Sequence, residues 1–154
     1  MTCEDLSAIQ FVSPSEGWIV GFNGTILHTI NHGTTWELQQ SELSDNLISL
    51  SFVSPTEGWI LTSGHGLLHT TNGGIQWSLL NSNVGGFAIQ FTSTQSGWLT
   101  SFFGAIYHTT DGGAHWTLQN SGTSENLVHL QFALQIFHPG HKMLLRMCMR
   151  VVCP

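Results

Sequence analysis

The chain has 154 residues, of which three are Lys or Arg and nine are Asp or Glu, giving a net charge of −6. This length suffices for one domain with a single core. Six Trp, nine Phe and 17 Gly indicate a turn-rich β protein rather than a disordered chain. Residues 1–141 contain no Lys or Arg, so they lack the basic face that nucleic-acid binding requires. No apolar run reaches the roughly 20 residues of a transmembrane helix, and no membrane span is predicted.

The predicted elements recur along the chain at a nearly constant period. Four Phe are spaced by 41, 39 and 41 residues: Phe11, Phe52, Phe91 and Phe132. A Trp follows each of the first three Phe, and a His and a second Trp recur at the same period: Trp18, Trp59, Trp98, His28, His69, His108, Trp36, Trp77 and Trp116. A repeat of about 40 residues built from strands and turns is typical of a β-propeller blade.

The second unit predicts four short antiparallel strands. Residues Leu47–Val53 alternate apolar and polar side chains, as a half-buried strand does. The other strands are predicted at Trp59–Thr62, Leu67–Thr71 and Ile75–Leu79, with turns rich in Gly, Pro and Asn between them. The predicted fold class is therefore all-β. It comprises three full blades, at approximately residues 6–41, 47–82 and 86–121, and the start of a fourth at 127–132, all within a partial propeller over residues 1–132.

The hairpin between the third and fourth strands of each unit has the pattern of an Asp-box, S/T-x-D-x-G-x-T-W. We predict that its Asp or Asn accepts hydrogen bonds from turn amides, its Gly adopts a left-handed conformation, and its Trp packs between blades. This role is structural rather than catalytic. The residues concerned are Thr29, Asn31, Gly33, Trp36, Thr70, Asn72, Gly74, Trp77, Thr109, Asp111, Gly113 and Trp116.

With the F-V-S-P-x-E-G-W pattern that opens the first two units, these motifs resemble the photosystem II stability/assembly factor-like repeat family of the bacterial neuraminidase repeat superfamily. The resemblance covers residues 6–121 and the start of a fourth unit. It implies a β-propeller, often seven-bladed and bacterial, that acts without a cofactor as a scaffold for protein interaction or assembly. Assembly factors of the family are thought to use a basic patch, which blades without Lys or Arg do not provide. The photosynthetic role is therefore less firmly implied than the fold.

Family analogy also implies an exported parent protein. The N-terminus of the chain, MTCEDLSAIQ, lacks the basic and then apolar pattern of a secretory signal. The localisation is therefore an expectation from the family alone, and the sequence identifies neither the protein partner nor the organism.

The chain departs from the repeat after Phe132. The Gly-Trp pair expected at 138–139 is replaced by His138-Pro139, and residues 133–154 hold all three basic side chains: Lys142, Arg146 and Arg150. A shifted reading frame or a truncated gene is the favoured interpretation, which makes the chain a fragment. The alternative is a native helix with the three cations on one face. Because known propellers have about four to eight blades, self-association that closes the ring is a further hypothesis.

The repeated His suggest a metal site, which the spacing does not favour. Equivalent positions in successive blades lie too far apart to bind one ion, and His138 and His141 lack a third ligand. We therefore predict no metal site and expect the repeated His, namely His28, His69 and His108, to face solvent.

A sialidase-like glycoside hydrolase is the enzymatic alternative. Such enzymes need an arginine triad and suitably spaced carboxylates, and the chain has no Arg before Arg146. Glu16 and Glu57 are equivalent turn residues in neighbouring blades, which indicates a structural repeat. We predict no catalytic site, and glycan binding through exposed Trp stays open as an alternative to protein binding.

Overall fold

The computed structural model describes residues 5–39, 44–64, 66–134 and 145–151. Its strands form three four-stranded antiparallel sheets, each in chain order, and one two-stranded sheet. The first sheet comprises β1 (Leu6–Phe11), β2 (Gly17–Gly21), β3 (Ile26–Thr29) and β4 (Glu37–Gln39). The second comprises β5 (Leu47–Phe52), β6 (Gly58–Thr62), β7 (Leu67–Thr70) and β8 (Ser78–Asn81). The third comprises β9 (Ala88–Phe91), β10 (Gly97–Thr100), β11 (Ile106–Thr109) and β12 (Thr117–Gln119).

The sheets are arranged as consecutive blades of a propeller. The first strands β1, β5 and β9 each contact the next one, and β9 contacts β13 (Leu127–Leu134). These strands therefore lie closest to a common axis, and each sheet extends outward from it. The predicted fold class, three blades and the start of a fourth, is confirmed.

The last strand of the second blade begins later than the sequence predicts. It covers Ser78–Asn81 instead of starting at Ile75. The side chain of Asn72 accepts a hydrogen bond from the amide of Gln76 at 3.0 Å, which holds the chain in the turn up to that residue. A side chain that bonds to nearby backbone amides competes in this way with the strand ladder.

The tail forms a strand where the alternative interpretation predicts a helix. Residues Leu145–Val151 form β14, antiparallel to β13, with Met147 opposite Phe132. The spacing of Arg146 and Arg150 fits a strand as well as a helix, because residues four apart lie on the same face of either element. The helix prediction is therefore wrong over these residues, and β13 extends to Leu134, two residues beyond the predicted end of the repeat. Residues 138–142 lie outside the described residues. They include His138, His141 and Lys142, and the positions 138–139 at which the repeat predicts Gly-Trp.

The hydrophobic core lies between adjacent blades. One cluster joins the first two blades: Trp18, Val20, Ile26, Leu47, Leu50, Phe52, Ile60 and Leu68. A second joins the next two: Trp59, Leu61, Leu67, Ile89, Phe91 and Leu99. Leu50 of β5, which blade 1 covers, is 7% exposed, whereas its counterpart Ile9 of β1 is 59% exposed. Burial in this fold thus comes from blade stacking, as in other repeat architectures.

Candidate functional site

Each interface between described blades contains a Trp from one blade stacked on a Phe from the next. The ring centroids of Trp18 and Phe52 lie 3.9 Å apart at an interplanar angle of 11°. Those of Trp59 and Phe91 lie 3.7 Å apart at 7°. Both Trp are fully buried, so each pair excludes a large apolar area from water and adds an aromatic contact.

The same Trp side chains also bond to the Asp-box turn of the next blade. The indole N–H of Trp59 donates to the carbonyl of Gly112 at 2.9 Å, and that of Trp18 donates to Gly73 at 3.3 Å. A buried indole therefore has a partner for its only polar group. The turn of each following blade provides the hydrogen-bond acceptor for the Trp of the blade before it.

The Trp of the Asp-boxes lie at the rim of these interfaces. Trp77 meets Phe52 edge-on at 5.9 Å and 90°, and Trp116 meets Phe91 at 6.1 Å and 78°. Both are half-buried and contact a Phe of their own blade. Sequence reasoning therefore missed Trp18 and Trp59 as the central interblade side chains. Their position directly after Gly, in a short strand within the repeat, was the available signal.

A His covers the other face of each of these indoles. His69 stacks on Trp59 at 4.9 Å, and its Nε2 lies 2.8 Å from Oε1 of Glu57. With only 20% of its side chain exposed, the expectation of a solvent-facing His is wrong. The other blades repeat the arrangement, with Ser replacing Glu in the third: His28 on Trp18 with Glu16, and His108 on Trp98 with Ser96.

The third Asp-box shows how these hairpins are held. The hydroxyl of Thr109 donates to Oδ1 of Asp111 at 2.8 Å and accepts from the amide of Gly113 at 3.0 Å. The same Oδ1 accepts from the amide of His115 at 2.9 Å. Gly113 has a φ of 100°, a conformation that side-chain-bearing residues avoid.

The first two boxes have Asn in place of Asp and keep the same bonds. Asn31 Oδ1 accepts from the amide of Thr35 at 3.0 Å, and Asn72 Oδ1 accepts from Gln76 at 3.0 Å. The threonines that begin all three boxes are almost completely buried: Thr29, Thr70 and Thr109. The amide oxygen of Asn thus accepts the same turn hydrogen bonds as the carboxylate oxygen of Asp111 does.

The hydrogen bonds around the carboxyl of Asp111 favour its anionic form. Hydrogen bonds from the amide and the ring of His115 and from Thr109 lower the pKa of its carboxyl to about 2. At neutral pH Asp111 is therefore an anion that accepts hydrogen bonds, which is unsuited to general acid catalysis. Glu16 and Glu57 each face a His of their own blade rather than another carboxylate.

The described residues contain neither a metal-binding group nor a membrane-spanning helix. Across residues 5–39, 44–64, 66–134 and 145–151, no three His, Cys, Asp or Glu side chains are grouped as metal ligands. Over the same part of the chain, no helix is long and apolar enough to cross a bilayer. A polar cleft of about 660 Å³ lies between blades 2 and 3, with Asn81, Asn83, Tyr107, His115 and Trp116 among its lining residues.

Comparison with known proteins gives a consistent assignment. The family described as photosynthesis system II assembly factor YCF48 matches residues 2–135. A solved structure of YCF48 bound to D1 peptide is 30% identical, with a TM-score of 0.70, and the match covers 84% of this chain and 45% of that one. YCF48 from Cyanidioschyzon merolae is 29% identical, with a TM-score of 0.64 and coverages of 75% and 37%. The chain thus spans less than half the length of these solved relatives, and no curated protein matches it. This chain belongs to the photosynthesis system II assembly factor YCF48 family.

Proposed function

We propose that this chain is a non-catalytic segment of an assembly scaffold that binds a segment of another protein. The observation that carries the proposal is the likeness, over 84% of the chain, to YCF48 in complex with a peptide. Propellers present loops at the ends of rigid strands, which is a common basis for binding. Carbohydrate binding and glycoside hydrolysis are not favoured.

The polar groups of the blades support a structural rather than an enzymatic role. The repeated Glu and His bond to each other beside a buried Trp, as Glu57 and His69 do. The twelve Asp-box residues belong to three hairpins, and the carbonyl of Gly112 in the third hairpin accepts a hydrogen bond from the indole N–H of Trp59. We propose that these residues position the blades and leave recognition to the loops.

The charge of the blades restricts how a peptide is bound. No Lys or Arg occurs in residues 1–141, so an acidic peptide would find no Lys or Arg on the three full blades. Arg146 and Arg150 lie on β14, which pairs with β13. We propose recognition by apolar and hydrogen-bonding contacts, with carboxylates favouring neutral or basic segments.

The relative's ligand is the direct probe of this proposal. Labelled D1 peptide is titrated with the chain and followed by fluorescence anisotropy, with a scrambled peptide of the same composition as the control. Saturable binding of the D1 peptide alone supports the proposal. The absence of saturable binding, or equal binding of the scrambled peptide, contradicts it. Binding to a glycan array in place of the peptide would favour the carbohydrate alternative.

A further inference from the structure

The turn between β10 and β11 has Phe103 where the equivalent turn of blade 1 has Asn23. It consists of a 3₁₀ turn, Phe102–Gly104, in which Phe103 is 83% exposed and Phe102 is 52% exposed. The ring of Phe102 also meets that of Phe87, with centroids 4.5 Å apart. Three aromatic side chains thus form one cluster, here called the Phe103 cluster, at the loop end of blade 3.

The backbone of Phe103 adopts a conformation that its side chain disfavours. Its φ is 55° and its ψ is 35°, and the following Gly104 also has a positive φ of 71°. The equivalent turn of blade 1 has Asn23 at 54° and Gly24 at 68°, the Asn-Gly pair that such turns prefer. A bulky aromatic residue in the left-handed region is uncommon and indicates a constraint other than folding.

Blade stacking does not account for the exposed Phe. Blade 3 has its preceding blade in place, and Phe103 is still exposed. Blade 1 has its following blade in place, and both Phe22 and Asn23, which occupy the positions of Phe102 and Phe103, are exposed as well. In both blades an Asn from the strand entry of the next unit holds the turn, Asn46 for Asn23 and Asn126 for Phe103. Neighbouring blades therefore pack beside this loop without covering it.

A groove adjoins the cluster and includes Phe103 in its lining. Its volume is about 450 Å³, and its lining combines apolar with polar residues: Phe103, Ala105, Leu118, Gln119, Ser121 and Thr123. Leu118 is itself 63% exposed. Such a lining offers pockets for apolar side chains and hydrogen-bonding groups for an extended backbone.

The charge near the groove selects the class of occupant. Over residues 101–126 the charged side chains are Asp111, in the Asp-box hairpin, and Glu125. On the β13–β14 pair that follows, Arg150 lies opposite His129, four residues beyond Glu125. Glu125 is exposed, and its neighbour Asn126 accepts the amide hydrogen bond of Phe103 at 2.9 Å. The amide of Glu125 donates to the hydroxyl of Thr123 in the groove lining at 3.1 Å, so Glu125 adjoins the groove. A carboxylate at this position favours a cation next to an apolar side chain. It disfavours the anionic surface of a membrane.

We propose that the Phe103 cluster and its groove bind an extended protein segment in which large apolar side chains alternate with Lys or Arg. This rests on the proposed function only in taking a protein segment as the ligand. It assigns to blade 3 a docking site that is separate from the interblade stacks. Phe103 is the central contact, and Glu125 selects the basic residue.

The test uses labelled peptides and the whole chain. The probe peptide alternates Leu and Arg over six positions between Gly-Ser ends, and matched peptides replace Arg by Glu or Leu by Ser. We expect only the Leu-Arg peptide to bind saturably. Phe103→Asn, which installs the residue of blade 1, should weaken it about tenfold or more, as loss of a central aromatic contact does. Glu125→Gln should weaken it less and reduce its salt dependence.

The control variant is Phe22→Ser, which removes an exposed Phe from the equivalent loop of blade 1 and should leave the affinity unchanged. Circular dichroism verifies that each variant is folded. The inference is overturned if Phe103→Asn binds the Leu-Arg peptide as tightly as the unchanged chain, or if Phe22→Ser loses as much affinity as Phe103→Asn. It is also overturned if the peptide with Glu in place of Arg binds equally well. Phe103-dependent binding to phosphatidylcholine vesicles without peptide binding would overturn it too.

The D1 peptide separates this inference from the proposed function. Binding of the D1 peptide with no binding of the Leu-Arg peptide leaves the proposed function intact and removes the docking site. Phe103-dependent binding of the Leu-Arg peptide with no binding of the D1 peptide leaves the docking site intact and contradicts the proposed function.

Discussion

The indole of Trp59 lies parallel to the ring of Phe91, with 3.7 Å between the ring centroids, although the two residues belong to different blades. Its N–H reaches the carbonyl of Gly112 in the same neighbouring blade. His69 covers the opposite face of the indole. The side chain of Trp59 thus contacts the His of its own blade and both the first strand and the Asp-box turn of the next blade.

Replacing this Trp should therefore cost more than replacing an Asp-box Trp. We expect Trp59→Ala to reduce the free energy of unfolding by about 3–5 kcal/mol, because a fully buried aromatic side chain leaves a cavity. Trp77→Ala is the matched variant and should cost less, since Trp77 is half-buried at the rim. Urea denaturation followed by circular dichroism measures both. Equal losses would mean that the interblade stack is not the main contact.

The Gly before each interblade Trp should resist substitution. Gly58 pairs with Phe52 across β5 and β6, and a Cβ at Gly58 would lie 2.5 Å from the Phe52 ring. We expect Gly58→Ala to destabilise the chain by about 1–3 kcal/mol, as overpacking of a core does. Gly85→Ala is the control, because a Cβ there meets no atom within 4 Å. A thermal melt of each variant makes the comparison, and a Gly58→Ala midpoint as high as that of the control would contradict it.

Asp111 should give the third Asp-box a pH dependence that Asn removes. Its pKa is about 2 in the folded chain against 3.8 for an unperturbed Asp. A lowered folded pKa stabilises the fold above the unfolded pKa, and this contribution is lost as the pH falls from about 4 towards 2. Relative to the natural chain, Asp111→Asn should therefore lose stability at pH 6 and progressively less at lower pH. Denaturation midpoints of both chains from pH 6 to pH 2.5 test this, and a constant difference would show that the carboxylate has no special role.

The left-handed backbone of Phe103 should lower the free energy of unfolding of the chain. A left-handed conformation costs an ordinary residue about 1–2 kcal/mol, and Asn tolerates it better. We expect Phe103→Asn to raise the free energy of unfolding by about 1 kcal/mol and Asn23→Phe to lower it in blade 1 by a similar amount. Chemical denaturation of both variants provides the measurement. A destabilised Phe103→Asn would show that the Phe cluster contributes to the core.

The blades are predictable from the sequence because the repeat fixes both element order and register. The strand starting at Leu47 and the two that follow it lie where the alternation and the turn residues place them. The last strand of the blade does not, because the side-chain bond of Asn72 to the turn outweighs the strand propensity of Ile75. Local hydrogen bonds of this kind are invisible in an apolar pattern.

The interfaces are harder to predict because spacing alone does not give the direction of a side chain. Both Trp of each repeat look suitable for packing between blades, and only the stacking geometry distinguishes Trp59 from Trp77. The His appear to be exposed strand residues until the stacking of His69 on that indole is seen. The division into a propeller over 1–132 and a divergent tail over 133–154, the shifted reading frame and self-association stay predictions. Sequencing the gene beyond codon 132 and light scattering test them.

The most direct measurement of the central claim is hydrogen exchange by mass spectrometry on the chain with and without saturating D1 peptide. We expect the buried strands β5, β6 and β9 to be protected in the free chain, because blade stacking buries them. We expect the peptide to add protection only in loops at the blade ends, without slowing the exchange of the Asp-box hairpins. Unchanged exchange at saturating peptide would contradict the proposal that this propeller segment binds a protein ligand.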